Sequence, residues 1–282
     1  MKKIHLIGLG LLGGSFSLAL RKVMPEITFT GFDANTKHME DARTLGIIDE
    51  ASEEIPEDAD VVILATPVDT LESLLIKSLD EVKENTLIID FGSTKNSLCQ
   101  VAANHPKRSQ YLSGHPIAGT EYSGPKAAKE DLLEKKVFII CEMEKTDVHL
   151  KGMAYDIFEA LNMKLRFMDP EEHDRQLAFV SHLSHITSFM LGKTVLDKME
   201  DDRNIFDMAG SGFASTVRLA KSSPAMWAPI MKANKENILE SLDAYIANLQ
   251  EFRNKIAEEE TSELQSAMAE VNKIGEILDL GK

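Results

Sequence analysis

The sequence predicts an α/β domain, built on a doubly wound and mostly parallel sheet, followed by an all-helical domain. Two observations indicate this architecture. Short, continuous apolar runs alternate with helical segments over residues 1–168, and strand-like runs stop at Asp169-Pro170. Continuous apolar runs are typical of strands covered on both faces, and strand–helix alternation is typical of parallel sheets. We therefore expect a sheet domain over 1–168 and a helical domain over 169–282.

The elements follow from the hydrophobic periodicity of each segment. The predicted strands are 4–8, 27–32, 61–66, 86–91, 110–113, 137–140 and 164–168, and the predicted helices between them are 12–23, 36–45, 69–83 and 94–104. After the boundary, Pro170 and the acids behind it predict a helix over 171–196. Apolar residues at steps of three to four predict a long amphipathic helix over 226–252, and a further helix covers 256–279.

Composition and charge exclude several classes of partner. The formal charge of the 282 residues is −15, without a long basic run, which argues against nucleic acid and anionic membrane. Cys99 and Cys141 lie far apart, so a disulfide framework or a multi-cysteine metal site is not expected. The chain shows neither a signal-peptide cleavage pattern nor a membrane-spanning apolar run. We expect a cytoplasmic protein that acts on a small molecule.

A glycine-rich turn joins the first predicted strand to the first helix. The motif is Gly8-Leu9-Gly10-Leu11-Leu12-Gly13. Its glycines permit a tight turn, a close approach of backbone to a pyrophosphate, and close packing of helix on strand, as in Rossmann-type domains. Asp33, at the end of the second strand, suits the ribose hydroxyls and repels a 2′-phosphate, so NAD is the predicted cofactor. The predicted contacts are Gly8, Gly10, Leu11, Leu12, Gly13 and Asp33. The alternative is a glycine-rich turn beside a surface aspartate.

The next two strands also end in residues suited to a ligand site. Thr66-Pro67 follows the third strand, and Gly92-Ser93-Thr94-Lys95 follows the strand over 86–91. Ligands of open α/β sheets bind at the carboxyl ends of strands, so Thr66, Pro67 and Ser93 are expected to border the nicotinamide. Ser93 has a second interpretation, as the N-cap of the helix over 94–104. The two roles are compatible.

The stretch SGHPIAGTEYSGP, residues 113–125, is predicted to be a loop because of its glycines and prolines. A histidine at such a place has no structural purpose that the sequence reveals. A neutral imidazole, with an ordinary pKa of about 6.5, is suited to accept a hydroxyl proton near pH 7. His115 is therefore a candidate general base.

These motifs together resemble the prephenate dehydrogenases and the closely related arogenate dehydrogenases. The resemblance runs from Met1 to about Leu249 and is carried, in order, by GLGLLGGSFSLAL, DFGSTK, GHPIAGTEYSG, SHLSH and GSGFASTVRLAKSSPAMW. It implies a Rossmann domain followed by a helical domain through which two subunits interlock as a homodimer. It also implies NAD-dependent oxidative decarboxylation of prephenate to 4-hydroxyphenylpyruvate in tyrosine biosynthesis.

The resemblance assigns roles to individual positions. His115 matches the histidine that accepts the proton of the substrate's 4-hydroxyl, Ser93 matches the serine that contacts this hydroxyl and orients the histidine, and Arg218 matches the arginine that grips a substrate carboxylate. The remaining matches line the pocket: Thr120 and Glu121 at its edge, Ser181, His182 and His185 on its helical wall, and Trp227 beside it. One departure is Ser211, which stands between Gly210 and Gly212 where some relatives have a third glycine.

Several alternatives remain open from the residues themselves. Arg218 could be a solvated helix arginine. His182 and His185, spaced i, i+3, could form a metal site or belong to the packed core. No metal is expected, because hydride transfer to NAD needs none. An arogenate dehydrogenase would differ only in its substrate's side chain. A β-hydroxyacid dehydrogenase would place a catalytic lysine on the helical domain.

A non-catalytic NAD-binding sensor is an alternative from another class of protein. Such a protein would keep the glycines and Asp33 without needing His115, Ser93 and Arg218 together.

Overall fold

The computed structural model describes residues 1–199 and 205–280. It divides into two compact units, of which the first is Met1–Lys235 and the second begins at Glu236. All of the residues predicted to form the site lie in the first unit.

The first unit contains an eight-stranded sheet. Its strands are β1 (Lys3–Ile7), β2 (Thr28–Phe32), β3 (Glu50–Ala51), β4 (Val61–Leu64), β5 (Leu87–Asp90), β6 (Tyr111–Pro116), β7 (Val137–Cys141) and β8 (Lys164–Met168). The order is β3-β2-β1-β4-β5-β6-β7-β8, and only the β6–β7 pair is antiparallel. The predicted mostly parallel sheet is confirmed, and the two-residue β3 was too short to predict.

The first unit contains helices that cover both faces of the sheet and helices that follow the sheet in the chain. They are α1 (Leu11–Val23), α2 (Thr36–Thr44), α3 (Val68–Glu81), α4 (Asn96–Ala102), α5 (Val148–Ala160), α6 (Pro170–Leu177), α7 (Leu183–Met199), α8 (Ser211–Thr216) and α9 (Pro224–Ala233). Alternate residues of β4 belong to two different core clusters, with Val61 and Ile63 in one and Val62 and Leu64 in the other. Both faces of this strand are therefore buried, which explains its uninterrupted apolar sequence.

Three predicted helices are interrupted in the structure. The helix predicted over 256–279 is present as two helices, Thr261–Val271 and Lys273–Leu280. The helix over 171–196 is present as α6 and α7, joined by a π-helical turn at Ala178–His182. The single helix predicted over 226–252 is wrong: α9 ends before Asn234, and α10 (Lys235–Ala257) begins after it. The Asn234 side-chain amide donates to the Asp174 carbonyl oxygen at 2.7 Å, which fixes this residue outside a continuous helix.

The second unit consists of most of α10 with α11 (Thr261–Val271) and α12 (Lys273–Leu280). Many of its large apolar side chains are exposed: Leu239, Ile246, Leu249, Phe252, Ile256, Met268, Val271, Ile274, Ile277 and Leu278. Across the described part of the chain, no helix combines the length and the apolar character needed to cross a bilayer.

Candidate active site

The glycine turn between β1 and α1 has a backbone that only glycine fits. Gly8 has φ of +99°, and a Cβ added there would lie 2.5 Å from the Ala65 carbonyl oxygen. A Cβ at Gly13 would collide with the carbonyl oxygen of Gly8. Gly10, by contrast, faces open space, with no heavy atom of the described chain within 4 Å of the Cβ position. The turn is thus closed on the protein side and open where a pyrophosphate would approach the start of α1 at Leu11 and Leu12.

Asp33 lies directly beside this turn. Its Oδ2 accepts a hydrogen bond from the Leu9 backbone N–H at 3.0 Å, and its Oδ1 accepts one from the Asn35 N–H at 2.9 Å. The His38 Nδ1 lies 3.2 Å from the same Oδ1. The carboxylate is therefore held against the glycine turn, where it can meet the ribose of a bound dinucleotide.

The neighbouring strand ends meet at the same edge of the sheet. Because β1, β4, β5 and β6 are consecutive parallel neighbours, the residues after each strand lie on one side. Thr66 follows β4 and its Oγ1 accepts a hydrogen bond from Thr70 at 2.8 Å, while Pro67 caps α3. Ser93 lies partly exposed between β5 and α4. The helix-cap interpretation of Ser93 is wrong, because α4 begins at Asn96 with Lys95 as its N-cap.

His115 belongs to a strand rather than to a loop. The prediction of loop structure from residue 113 is wrong, since β6 continues through Pro116 and His115 pairs with Ile139 of β7. Gly114 is required here because a Cβ would collide with the Phe138 ring. The imidazole is nearly buried, with 9% of its surface exposed, at the carboxyl end of β6. A strand holds it more rigidly than a loop would.

A buried ion pair supports the strand that carries His115. The Lys95 ammonium contacts the Asp90 carboxylate and donates to the Gly114 carbonyl oxygen at 2.6 Å; both charged side chains are fully buried. Asp90 also accepts from the Tyr111 hydroxyl at 2.7 Å and from the Gly92 and Gly114 N–H groups. This network was not predicted from the sequence. The signal was available, since Asp90 ends an otherwise apolar strand.

His115 also contacts helix α6, which the sequence analysis did not assign to the site. Its Nδ1 lies 2.9 Å from Nε2 of His173, and Nδ1 of His173 lies 2.8 Å from Oδ1 of Asp174. The Asp174 carboxylate also accepts the Lys95 N–H at 2.7 Å and the Asn96 N–H at 3.0 Å. Asp174 therefore joins α6 to the start of α4.

Burial keeps these imidazoles neutral. The pKa of His115 is lowered well below its ordinary value of 6.5, first by burial and then by the charges of His173, Lys95 and His182. Burial also lowers the pKa of His173, opposed by its hydrogen bond to Asp174. At neutral pH His115 is therefore an unprotonated imidazole, which is the form that can accept a proton.

A second group of rings lies on the π-helical turn and α7. His185 stacks on Trp227 with ring centroids 3.6 Å apart, and His182 meets the same indole edge-on at 5.8 Å. Burial lowers the pKa of His182 to about 4, and its Nδ1 lies 3.2 Å from the Asn234 amide nitrogen. Burial is the main cause that lowers the pKa of His185, and the charge of Arg218, in a 3-10 turn (Arg218–Lys221), lowers it further. Within residues 1–199 and 205–280, no cluster of three or more His, Cys, Asp or Glu side chains could hold a metal.

The other predicted pocket residues lie on three different segments of the chain. Thr120 and Glu121 lie on the connection after β6, where Thr120 Oγ1 accepts the Tyr122 N–H at 3.2 Å. The Ser181 carbonyl oxygen accepts a hydrogen bond from Nδ1 of His185 at 3.0 Å. Ser211 is the first residue of α8, after Gly210 as its N-cap. The substrate contacts assigned to these positions stay predictions.

The fold and this edge of the sheet define a dinucleotide-dependent oxidoreductase: a glycine turn with an adjacent carboxylate lies at the same edge as a buried, neutral imidazole. Two family models match the chain, "Prephenate dehydrogenase, nucleotide-binding domain" over residues 16–167 and "Prephenate dehydrogenase, dimerization domain" over residues 169–270. The chain belongs to the prephenate dehydrogenase family, whose members are NAD-dependent oxidoreductases.

Individual relatives agree with this assignment. A prephenate dehydrogenase of Bacillus subtilis is 34% identical over 93% of this chain and 72% of its own length. The crystal structure of prephenate dehydrogenase from Aquifex aeolicus, in complex with hydroxyphenyl propionate and NAD+, is 32% identical, covers 98% of both chains and superimposes with a TM-score of 0.89. A Synechocystis arogenate dehydrogenase structure is 26% identical, covers 98% of this chain and 99% of its own, and has a TM-score of 0.75.

Proposed function

We propose that the chain oxidises prephenate with NAD to 4-hydroxyphenylpyruvate and CO₂, with His115 as the base, as a step of tyrosine biosynthesis. The observation that carries this proposal is the buried, neutral His115 at the same sheet edge as the glycine turn. The activities for which its relatives are named support the substrate, and the NAD+ in the Aquifex aeolicus structure supports the cofactor. The cytoplasmic location stays a prediction.

The residues of the glycine turn fit NAD. Gly10 leaves its side of the turn open, the N-terminus of α1 suits the pyrophosphate, and Asp33 suits the ribose hydroxyls. When bound, NAD supplies the hydride acceptor. His115 then takes the proton from the 4-hydroxyl as the hydride leaves the same carbon. The bond from C1 to its carboxylate breaks, its electron pair completes the aromatic ring, and the proton returns to the oxygen, because the net reaction releases none.

The substrate class carries two carboxylates, which the overall charge of −15 disfavours, so a local cation is needed. Arg218 is suited to this role because a planar guanidinium can bind a carboxylate through two hydrogen bonds. The effect of its charge on His185 supports a position near the ring group described above.

Replacing Arg218 with Ala should raise KM for the substrate by roughly 10-fold or more, the loss expected when a charge-assisted hydrogen bond worth about 1.5–3 kcal/mol is removed. The kcat should change less, and the KM for NAD should stay the same. Steady-state kinetics with each substrate varied in turn measures both. Lys221→Ala, in the same 3-10 turn, is a matched control. An unchanged substrate KM in the Arg218 variant would remove this residue from the proposed clamp.

Replacing Asp33 with Ala should relax the preference for NAD over NADP, because the carboxylate beside the glycine turn repels a 2′-phosphate. The measurement is the ratio of kcat/KM for the two cofactors. Asp41→Ala, on α2, provides the control for a nearby charge of the same sign. If the ratio did not change, the ribose would be recognised by other residues.

The pH dependence follows from the lowered pKa of His115. In the free enzyme this group is neutral at pH 6.5 and above and becomes protonated only well below it. We therefore expect kcat/KM to stay level between about pH 6.5 and 8 and to decline as the pH falls further, because an imidazolium cannot accept a proton. Measurement of kcat/KM against pH tests this. A decline centred at or above pH 7 would contradict it.

Steady-state NADH formation with purified protein tests the proposed function as a whole. Prephenate, arogenate and a set of 3-hydroxyacids should be compared at saturating NAD. Arogenate is included because the Synechocystis neighbour bears the name arogenate dehydrogenase. Turnover of prephenate above arogenate would support the proposal, and turnover of arogenate alone would replace the substrate. A lack of turnover with either cyclohexadienol would overturn it.

The proposal includes a homodimer. The match to the dimerization domain of the family supports it, and so do the exposed apolar side chains of α10, α11 and α12, which a partner subunit could cover. Light scattering of the purified protein would measure the mass directly.

A further inference from the structure

Three side chains form a continuous line that ends at the proposed base. Asp174 contacts His173, and His173 contacts His115, at 2.8 and 2.9 Å respectively. All three are buried. Nothing in the proposed reaction requires His173 or Asp174 to touch the substrate. Their hydrogen bonds indicate that they act on His115 instead.

The direction of each hydrogen bond follows from the Asp174 carboxylate. Both of its oxygens accept backbone N–H groups, from Lys95 and Asn96, which favours the ionised, accept-only form. His173 must therefore donate to it from Nδ1. A neutral imidazole has one N–H, so Nε2 of His173 is an acceptor, and the contact with His115 requires the N–H of His115 to be on Nδ1. This leaves Nε2 of His115 with the free lone pair.

We propose that His173 and Asp174 are positioning residues that hold His115 in the tautomer whose Nε2 accepts the substrate proton. This inference rests on the proposed function of His115. The same line stabilises the product of that step. When Nε2 takes the proton, the imidazolium of His115 donates from Nδ1 to His173, which is in turn polarised by the carboxylate of Asp174.

The surrounding charges explain why such support is needed. The groups that face His115 are Lys95 from the start of α4, His182 from the π-helical turn, and His173 from α6. A positive charge on any of them disfavours a positive charge on His115, and Lys95 carries one at neutral pH. The Asp90 carboxylate forms an ion pair with Lys95 and accepts hydrogen bonds from Tyr111 and two backbone N–H groups. Asp174 is the negative group that the hydrogen bonds connect to His115, so removing the connection isolates the imidazolium in a buried and electropositive place.

The variant that tests the proposal is His173→Leu, because Asp174 also holds the start of α4 and its replacement would disturb the backbone. We expect kcat to fall by about 10²-fold, within the range of roughly 10²–10⁴ that a positioned base contributes. The KM for prephenate and the affinity for NAD should stay within about twofold, since a residue acting only through His115 affects the transition state selectively.

Two further variants separate positioning from stability. His173→Gln should recover part of the lost kcat, because the amide oxygen can accept the Nδ1–H of His115 as the imidazole does. His5→Gln removes another fully buried histidine, on β1 and hydrogen-bonded to Thr30, and should leave kcat unchanged. An equal loss in His173→Leu and His173→Gln, or a normal kcat in His173→Leu, would overturn the proposal.

The tautomer itself can be observed without turnover. In wild-type protein labelled with ¹⁵N-histidine, the imidazole NMR spectrum at pH 7.5 should show His115 protonated at Nδ1 and unprotonated at Nε2. An Nε2–H tautomer would overturn the positioning role even if His115→Asn abolished activity. If His115→Asn kept a normal kcat while the Nδ1–H tautomer was observed, His115 would not be the base. His173 and Asp174 would then have no role in catalysis through it. Because the spectrum uses the wild-type chain, it decides the question even if His173→Leu does not fold.

Discussion

Replacing His115 with Asn should lower kcat by about 10²–10⁴-fold while NAD binding stays intact, because the base is lost and the glycine turn is untouched. Asn is the most suitable substitution because it removes the base and disturbs the surroundings little. It is polar, it is smaller than histidine, and its side-chain amide can still donate a hydrogen bond towards His173, the partner at 2.9 Å. The measurements are kcat from NADH formation and the NAD dissociation constant from calorimetry.

His5→Gln is the matched control for this variant, because it removes a histidine that is equally buried in the same sheet. If His115→Asn retained kcat near that of the control, His115 would not be the base. Ser93, which lies on the same sheet edge, would then be the next residue to replace.

Replacing Lys95 with Met should destabilise the fold by about 3–5 kcal/mol, the cost of leaving one member of a buried ion pair without its partner. The Asp90 carboxylate is fully buried against Lys95, and the ammonium also holds the Gly114 carbonyl oxygen next to His115. Urea denaturation followed by circular dichroism measures the free energy of unfolding. We expect the same variant to lose activity, because the end of β6 loses its anchor.

The double variant Lys95→Met with Asp90→Asn should recover part of this stability, because the carboxylate is no longer charged. Lys3→Met, which breaks an ion pair with the exposed Asp58, should shift the urea midpoint little, since exposed pairs are screened by solvent. Equal destabilisation by the Lys95 and Lys3 variants would show that burial of the pair at β5 does not matter.

The parts of the site that the sequence predicted are those built from short segments. Gly8, Gly10 and Gly13 lie in one turn, and the backbone demands on them are local, so their pattern alone indicates the geometry. The family resemblance assigned roles to His115 and Arg218, and these roles stay predictions. The positions of the strands along the chain also followed, apart from the two-residue β3, because buried parallel strands have an uninterrupted apolar sequence.

The parts that the sequence did not predict depend on tertiary contacts. His115 and His173 are 58 residues apart, and Asp174 and Lys95 are 79 apart. Their pairing depends on how α6 packs against the sheet, which local patterns do not specify. The same holds for Asn234, which interrupts a regular apolar stripe because its amide binds the Asp174 carbonyl oxygen. At β6, pairing with β7 overrides the loop preference of Gly114 and Pro116.

The line from Asp174 to His115 joins residues that are synthesised at different times. The glycine turn and Asp33 are translated within the first 33 residues, whereas the partner of His115 emerges at residue 173. Chains grow from the N-terminus, at about 5–20 residues per second. The glycine turn and Asp33 are therefore synthesised several seconds before the residue that contacts His115. The line from Asp174 to His115 can form only after all eight strands of the sheet have been synthesised.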